Sequence, residues 1–195
     1  MKETDFQRKV ESRLKQSLPK YQVRSGVNLQ HSVIFDGGGE VWPAGVRALR
    51  PEKRYAYQAD IVVTDGGGKV PLVAVELKCG MGSGYTTHDV LTYSAKAARH
   101  KELYPYLRYG MAVGSAASIG RKFFFTNRAL DFVVAVPDES GFSRLVEVVG
   151  HQVRLAEDGL KILDRKAAPR VLSWQNGMNW EWASSGSNGQ GDEEE

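Results

Sequence analysis

Three ionisable residues, Asp60, Glu76 and Lys78, stand in apolar stretches of the sequence, where an unpaired charge is costly. Between the two stretches lies the segment 64–69, Thr-Asp-Gly-Gly-Gly-Lys, which is typical of a hairpin turn. Two antiparallel strands joined by this turn would bring Asp60 close to Glu76. Because side chains alternate along a strand, Glu76 and Lys78 would point to the same face. Two carboxylates beside a lysine can hold a hard divalent cation and position a water next to a phosphodiester, so the sequence predicts cleavage of nucleic acid.

An acid-x-lysine triplet is by itself a weak signal, because exposed strands often alternate acidic and basic residues. The triplet 164–166, Asp-Arg-Lys, has the same form, but it lies in a polar stretch followed by Ala-Ala-Pro, as a solvated turn would. Glu76 and Lys78 instead end an apolar strand that a glycine turn joins to the strand of Asp60. An ordinary cross-strand ion pair is the alternative interpretation of these three residues.

This pattern resembles that of the PD-(D/E)XK nuclease superfamily, which has the restriction-endonuclease-like fold. In that family an acid lies on one strand of a hairpin, and Glu-x-Lys or Asp-x-Lys lies on the next strand, before a helix. Asp60 matches the first acid, Glu76 the second and Lys78 the lysine. Ala59 stands where the motif name has proline. The resemblance extends loosely from residue 3 to about residue 136, and its specific part is the three charged positions.

The resemblance implies an α/β fold with a restriction-endonuclease-like core, in which helices flank a mixed β-sheet. It implies Mg²⁺, or Mn²⁺ in its place, held by Asp60, Glu76 and the backbone carbonyl of Leu77. An acid from the first helix often supplements such a site; Glu11 is the candidate, and an ordinary solvent-facing glutamate is the alternative. Lys78 would orient the attacking water or help to deprotonate it. Products with a 5′-phosphate and a 3′-hydroxyl are expected.

The elements that would position these residues begin with a helix. Apolar residues four positions apart, from Phe6 to Leu18, predict an amphipathic N-terminal helix that Pro19 ends. The range 21–35 then predicts a strand that the pair 25–26, Ser-Gly, interrupts. The two strands of the hairpin follow.

A second helix should come directly after the hairpin. Thr86 and Asp89 have the spacing of a capping box and predict a helix that runs to about Tyr104. A small apolar face of this helix is expected to pack on the sheet. Its residues are Leu91, Ala95 and Ala98.

The rest of the chain predicts two more strands, over 108–114 and 130–136. The range 143–157 stays open between a helix and a hairpin, since apolar residues at helical spacing are mixed with glycines. The run 123–125, Phe-Phe-Phe, is interpreted as a buried edge, with a base-stacking surface as the alternative. The predicted order of helix, three strands, helix and two strands matches the α/β core of the family.

Composition predicts one nuclease-like domain over residues 1–183 and a disordered acidic, Ser/Gly-rich tail over residues 184–195. No apolar run approaches the roughly 20 residues needed to span a bilayer, and the N-terminus is too polar for a signal peptide. The single cysteine, Cys79, excludes an internal disulfide. It suits a reducing compartment, so a cytoplasmic location is expected.

The charge of the body favours DNA as the partner. The tail carries four acidic residues, so the net charge of +3 becomes +7 for residues 1–183. Two basic groups are candidates for contact with the DNA backbone, although solvation alone could explain both. The first precedes the hairpin and consists of Arg47, Arg50, Lys53 and Arg54. The second group lies on the helix after the hairpin and combines basic residues with a tyrosine. Its members are His88, Tyr93, Lys96, Arg99 and His100.

The sequence leaves the biological role open. A Mg²⁺-dependent deoxyribonuclease of restriction or DNA-processing type is the first hypothesis. A structure-specific nuclease, such as a junction resolvase, and a catalytically idle DNA-binding module with the same fold are the alternatives. A homodimer is expected because paired cuts need two centres, and the tryptophan-rich range 171–182 is a candidate self-association patch, with core packing as its other role.

Overall fold

The structure of the chain is a computed structural model that describes residues 2–31, 56–79, 85–114, 116 and 118–163. Several predictions from the sequence lie outside these residues. They concern the strand end at 32–35, the basic group Arg47, Arg50, Lys53 and Arg54, the triplet 164–166, the range 171–182 and the tail 184–195.

Four helices and five strands form within the described part of the chain. In chain order they are α1 (Glu3–Ser17), β1 (Gln22–Gln30), β2 (Ala56–Thr64), β3 (Pro71–Cys79), α2 (Thr87–Leu103), β4 (Arg108–Gly114), α3 (Lys122–Thr126), β5 (Phe132–Val136) and α4 (Glu139–Leu163). The predicted order of helix, three strands, helix and two strands is confirmed, with α3 and α4 added to it. No described helix is long and apolar enough to cross a membrane.

The five strands form one mixed sheet in the order β1-β2-β3-β4-β5. The pairs β1–β2 and β2–β3 are antiparallel, whereas β3–β4 and β4–β5 are parallel. Parallel neighbours need a crossover, which α2 supplies between β3 and β4. The carboxyl ends of β3 and β4 therefore meet at one edge of the sheet, where Cys79 pairs with Gly114.

The hairpin predicted around the glycine turn is present between β2 and β3. Asp65 fixes the turn, because its Oδ1 accepts hydrogen bonds from the backbone N–H of Lys69 at 2.6 Å and of Val70 at 2.8 Å. Gly68 takes a φ of +70°, which a residue with a side chain rarely adopts. The turn chemistry thus sets the register that brings the two strands of Asp60 and Glu76 together.

Helices cover both faces of the sheet. The apolar face of α1 packs with that of α4 on one side, and α2 and α3 cover the other side. Along β3, Val75 and Leu77 belong to the first core, whereas Ala74 belongs to the second. This alternation turns Glu76 towards α2, so its carboxylate lies between the sheet and a helix.

One segment differs from the sequence-based expectation, and one that the sequence left open is now assigned. The strand β1 runs through positions 25–26 without a break, since Gly26 adopts a φ of +62° within the strand. The open range 143–157 lies inside the long helix α4. A glycine suits position 159 of α4, because a Cβ atom there would lie only 3.0 Å from Cβ of Tyr106.

The face of α2 that packs on the sheet was predicted wrongly. Leu91, Ala95 and Ala98 are exposed, and the buried residues are instead Val90, Ser94, Ala97 and His100. The polar members of that face have partners in the core. Ser94 Oγ accepts from the backbone N–H of Arg128 at 2.7 Å, and His100 Nδ1 lies 3.0 Å from the carbonyl of Gln30. Apolar spacing alone could not indicate this face, because two of its residues are polar.

The packing of α4 can be tested by comparing two leucines of that helix. Leu145 is 1% exposed in the core that α4 shares with α1, whereas Leu163 is 53% exposed at the helix end. Leu145→Ala should lower the free energy of unfolding by about 2–5 kcal/mol, because it leaves a cavity. Leu163→Ala should change it by less than about 0.5 kcal/mol. Urea denaturation measures both values, and equal effects would contradict the packing of α4.

Candidate active site

The Glu76 carboxylate is the centre of the candidate site. Glu76 lies near the end of β3 and is only 1% exposed. Its Oε1 accepts a hydrogen bond from the Tyr109 hydroxyl at 2.5 Å and one from Lys96 Nζ at 3.0 Å. Tyr109 comes from the neighbouring strand β4 and Lys96 from α2. Three separate elements therefore meet at a single buried oxygen.

The environment of Glu76 changes its acidity. Burial raises the pKa of Glu76, Lys96 and Tyr109 lower it, and the charge of Asp60 raises it, so that the net pKa is about 7 instead of 4.5. A carboxyl group with this pKa changes its charge near neutral pH. A perturbed group of this kind is typical of a functional site, although structural ion pairs also produce it.

Asp60 lies across the hairpin from Glu76, as the sequence predicts. Its Oδ2 accepts a hydrogen bond from the backbone N–H of Leu77 at 2.7 Å. The backbone carbonyl of Asp60 accepts a bond from Gln7 Nε2 of α1 at 3.2 Å. The structure thus joins Asp60 to the Glu76-Leu77-Lys78 segment through its side chain.

Lys78 shares the face of Glu76 on β3, but the structure gives it another carboxylate as a partner. Its Nζ lies 3.5 Å from Asp89 Oδ1 in the first turn of α2. Asp89 also completes the capping box with Thr86, whose backbone N–H donates to Asp89 Oδ2 at 2.8 Å. Burial raises the pKa of Asp89, but the bonds from Thr86 and the charge of Lys78 outweigh it, so the net change is downwards. Asp89 is therefore ionised and faces Lys78.

Lys96 and Tyr93 belong to this site and do not form an open DNA-binding face. Besides Glu76, Lys96 Nζ donates to the carbonyl of Gln58 at 2.9 Å and lies 5.4 Å from the centre of the Tyr93 ring. Tyr93 is half-buried, and burial together with the charges of Glu76 and Asp60 raises its pKa. The contact of Lys96 with DNA stays a prediction, and in the structure its ammonium group is paired with Glu76 at 3.0 Å.

The other predicted residues of α2 are divided between core and surface. His100 is fully buried, and burial lowers its pKa to about 4, so it is neutral and cannot contact DNA. The prediction for His100 is therefore wrong. Arg99 is exposed and pairs with Glu102 at 3.2 Å. His88 is exposed in the first turn, with Nε2 3.5 Å from the Thr92 hydroxyl.

Glu11 has no described contact with the two carboxylates. Its Oε1 lies 2.6 Å from Lys15 Nζ, one turn along α1. The described links between α1 and the site are made instead by Gln7, which binds the carbonyl of Asp60, and by Glu3, whose charge contributes to the raised pKa of Tyr93. Helical spacing could place an acid near the sheet, but it could not indicate which turn of α1 lies there.

The oxygen donors of the site fit a small divalent cation. Among the described residues, no group of three or more His, Cys, Asp or Glu side chains could hold a metal ion. The donors that remain are the carboxylates of Asp60 and Glu76 and the carbonyl of Leu77. Mg²⁺ is commonly held by one or two carboxylates with waters in the other positions, so these donors match that ion in chemical type. Within the described part of the chain, no hydrogen bond reaches Glu76 Oε2 or Asp60 Oδ1.

Sequence reasoning missed Tyr109 as a site residue. It also missed the ion pair of Lys96 with Glu76 and that of Asp89 with Lys78. Tyr109 lies in an apolar strand, where a tyrosine is usually a core residue. Its hydroxyl reaches Glu76 only because β4 lies beside β3, with Met111 opposite Glu76. A buried tyrosine needs a partner for its hydroxyl, which is the one signal that the sequence contained.

Comparison with known proteins adds no relative: no family model, curated protein or solved structure matches this chain.

The burial of Glu76 predicts a pH-dependent stability. The pKa of Glu76 is about 7 in the folded chain and 4.5 in the unfolded chain. The folded state therefore binds the proton of Glu76 more tightly than the unfolded state does. The resulting stabilisation is complete below the unfolded pKa and is lost as the pH rises through the folded pKa. In EDTA, the free energy of unfolding should fall between about pH 5 and pH 8, by up to about 3 kcal/mol.

Urea denaturation at several pH values measures this fall, and two glutamine variants separate its causes. Glu76→Gln should remove this part of the pH dependence. Glu102→Gln is the matched control, because Glu102 is 58% exposed and the variant should keep the wild-type profile. A wild-type profile that is flat over this range would contradict the assignment of the raised pKa to Glu76.

Proposed function

We propose that this chain is a metal-dependent deoxyribonuclease that hydrolyses phosphodiester bonds, as a restriction or DNA-processing enzyme. The observation that supports it most directly is the buried Glu76 carboxylate with Asp60 across the hairpin and Lys78 two residues further on. Hard oxygen donors can hold a divalent cation for metal-assisted hydrolysis of a phosphodiester, and a neighbouring ammonium group can stabilise the negative charge on the phosphate.

The order of elements supports the same assignment. A helix, an antiparallel three-stranded meander, a second helix and a fourth strand parallel to the third follow one another here. This is the order expected of the PD-(D/E)XK superfamily, and its motif residues would lie on β2 and β3, as Asp60 and Glu76 do. We therefore assign the chain to the restriction-endonuclease-like fold as part of the proposal.

In this mechanism Asp60, Glu76 and the carbonyl of Leu77 would hold Mg²⁺ or Mn²⁺, which would supply Lewis-acid stabilisation of the charge that develops on the phosphate oxygens. Asp60 and Glu76 supply the negative charge for this role. The raised pKa of Glu76 makes the ionised site available only near and above neutral pH.

Lys78 has the role of orienting the attacking water or a phosphate oxygen. Its side chain is 30% exposed, so its N–H groups can reach a substrate, and its Nζ lies 3.5 Å from Asp89 Oδ1. An ammonium group donates hydrogen bonds and stabilises negative charge, but it cannot accept the proton of water until it has lost its own. We therefore give Lys78 the orienting role.

The surroundings of Glu76 argue against an idle module and against an ordinary ion pair. Glu76 and Lys96 could form an ion pair without any contribution from Asp60. The negative charge of Asp60 instead raises the pKa of Glu76 and so opposes the ionisation of Glu76. Two acids facing one another in a half-buried site cost stability unless a cation joins them. We infer that the pair is kept for a bound cation and not for folding.

The proposal predicts DNA cleavage that requires Mg²⁺ or Mn²⁺ and stops in EDTA. The assay uses supercoiled plasmid, single strands and a four-way junction, so that it also separates a restriction-type enzyme from a structure-specific nuclease. Asp60→Asn and Glu76→Gln should abolish cutting, because each removes a negative charge from the cation site. Glu102→Gln should cut as the wild type does. Undiminished cutting by metal-stripped protein would contradict the mechanism.

The two lysines of the site should differ in their effects. Lys78→Met should lower the cleavage rate by about 10²–10⁴-fold without moving the midpoint of the pH–rate profile. Lys96→Met should move the acidic limb of the profile to higher pH, because the charge of Lys96 lowers the pKa of Glu76. Single-turnover rates between about pH 6 and pH 9 measure both effects. If Lys96→Met does not move the acidic limb of the pH–rate profile, the ionisation of Glu76 does not control the rate.

A further inference from the structure

The short helix α3 presents two phenylalanines to solvent. Phe123 is buried, but Phe124 is 42% exposed and Phe125 is 77% exposed. Phe125 has the largest exposed fraction among the large apolar side chains of the described residues. Two adjacent exposed rings are costly in water, so such a pair commonly marks a contact surface. The sequence-based view of this run as a buried edge is correct for Phe123 alone.

Both ends of α3 are fixed to the segment that carries the candidate site. Before α3, the backbone N–H of Gly120 donates to the Tyr85 hydroxyl at 2.9 Å, and Tyr85 lies just ahead of α2. After α3, the backbone N–H groups of Arg128 and Ala129 donate to Ser94 Oγ at 2.7 and 2.9 Å. The ring of Phe125 therefore stands on a rigid support and not at the tip of a loose loop.

The position of α3 places these rings on the side of the molecule that carries the site. The chain leaves β4 at the edge where Gly114 pairs with Cys79, one residue after Lys78. Both α2 and α3 cover the sheet face towards which Glu76 points. The contacts of Ser94 with Arg128 and Ala129 fix the end of α3 beside α2, the helix that supplies Lys96 to the candidate site.

The charge around α3 selects the kind of partner. Residues 103–130 contain no Asp or Glu and four basic residues, Arg108, Arg121, Lys122 and Arg128. Arg121 and Arg128, which flank α3, are exposed, whereas Arg108 pairs with Asp131 at 3.3 Å. Aromatic rings among basic side chains are the arrangement that binds single-stranded nucleic acid, by stacking on bases and pairing with phosphates.

We propose that Phe125, with Phe124 beside it, stacks on an unpaired base of the DNA strand held at the candidate site, while Arg121 and Arg128 contact the neighbouring phosphates. A base inside a duplex is already stacked on both sides, and freeing it costs a few kcal/mol. The rings can therefore reach bases where the DNA is single-stranded, flapped or branched. This inference rests on the proposed function and names its substrate class as DNA with unpaired bases near the cut.

Binding in EDTA tests this substrate class without any cleavage. Three DNAs share one sequence and carry 2-aminopurine at one position: a single strand, a duplex with a flap and a full duplex. The wild type should bind the first two more tightly and should quench 2-aminopurine in both. Phe125→Ala should weaken binding to these two by about five-fold to a hundredfold and abolish the quenching, because one base-stacking contact is lost. Its affinity for the full duplex should stay unchanged.

Two further variants make the result specific. Phe125→Trp should restore both affinity and quenching, since the indole also offers a stacking face. Leu163→Ala is the control for loss of an exposed apolar side chain, because it lies at the end of α4 on the opposite face of the sheet and should behave as the wild type does.

Three outcomes would overturn the inference. Phe125→Ala could bind all three DNAs as the wild type does, or lose affinity for all three equally. Light scattering could also reveal a wild-type dimer that Phe125→Ala converts to a monomer, which would make the rings a self-association surface. In each case, metal-dependent cutting by the wild type would leave the proposed function intact. A wild type that binds and cuts none of the three DNAs would overturn both.

Discussion

The burial of one carboxylate constrains the whole arrangement around the end of β3. Glu76 is removed from water, so its oxygen needs donors from the protein, and these come from Tyr109 on β4 and Lys96 on α2. The strand β4 must therefore lie beside β3 in one register, and α2 must turn one particular face to the sheet. A charge that is costly to bury thus specifies how three elements are placed.

The charges of the site nearly balance before any ion is added. Asp60, Glu76 and Asp89 contribute carboxylates, and Lys78 and Lys96 contribute ammonium groups, so the full ionisation of all five leaves a net charge of −1. A divalent cation would change that to +1, which suits an anionic phosphate. Without a bound cation, Lys96 is the counter-charge of Glu76, and Asp89 is the counter-charge of Lys78. In the proposed function, a cation would therefore enter a site whose charged groups are already largely paired.

Local chemistry explains which parts of this structure the sequence could predict. The turn of Asp65 and Gly68 and the capping box of Thr86 and Asp89 are contacts between residues five or fewer positions apart, so their patterns are visible in the chain. The hairpin, the start of α2 and the pairing of Asp60 with the Glu76 strand followed from them. The roles of Arg47, Arg50, Lys53 and Arg54, the strand end at 32–35 and the ranges 171–182 and 184–195 stay predictions.

What the sequence could not give depends on partners far along the chain. The predicted and observed packed faces of α2 differ by one residue, which is about 100° of rotation around the helix. Ser94 and His100 decide that rotation. The buried Ser94 hydroxyl donates a hydrogen bond to Asn127 Oδ1, and His100 Nδ1 lies 3.0 Å from the carbonyl of Gln30. The same rotation carries Lys96 towards Glu76 and hides His100. No periodicity of apolar residues contains this information, because the two residues that decide it are polar.

The candidate site is also continuous along the chain, since its side chains come from β2, β3, α2 and β4 in direct succession. The contacts that define it span 17 residues from Asp60 to Leu77, 20 from Glu76 to Lys96 and 33 from Glu76 to Tyr109. The entropy of closing a loop grows only slowly with its length, so closing loops of this length costs little more than closing shorter ones. The contacts of the candidate site are thus contained within one stretch of consecutive elements, from β2 to β4, so changes in the length of the elements outside it would leave these contacts in place.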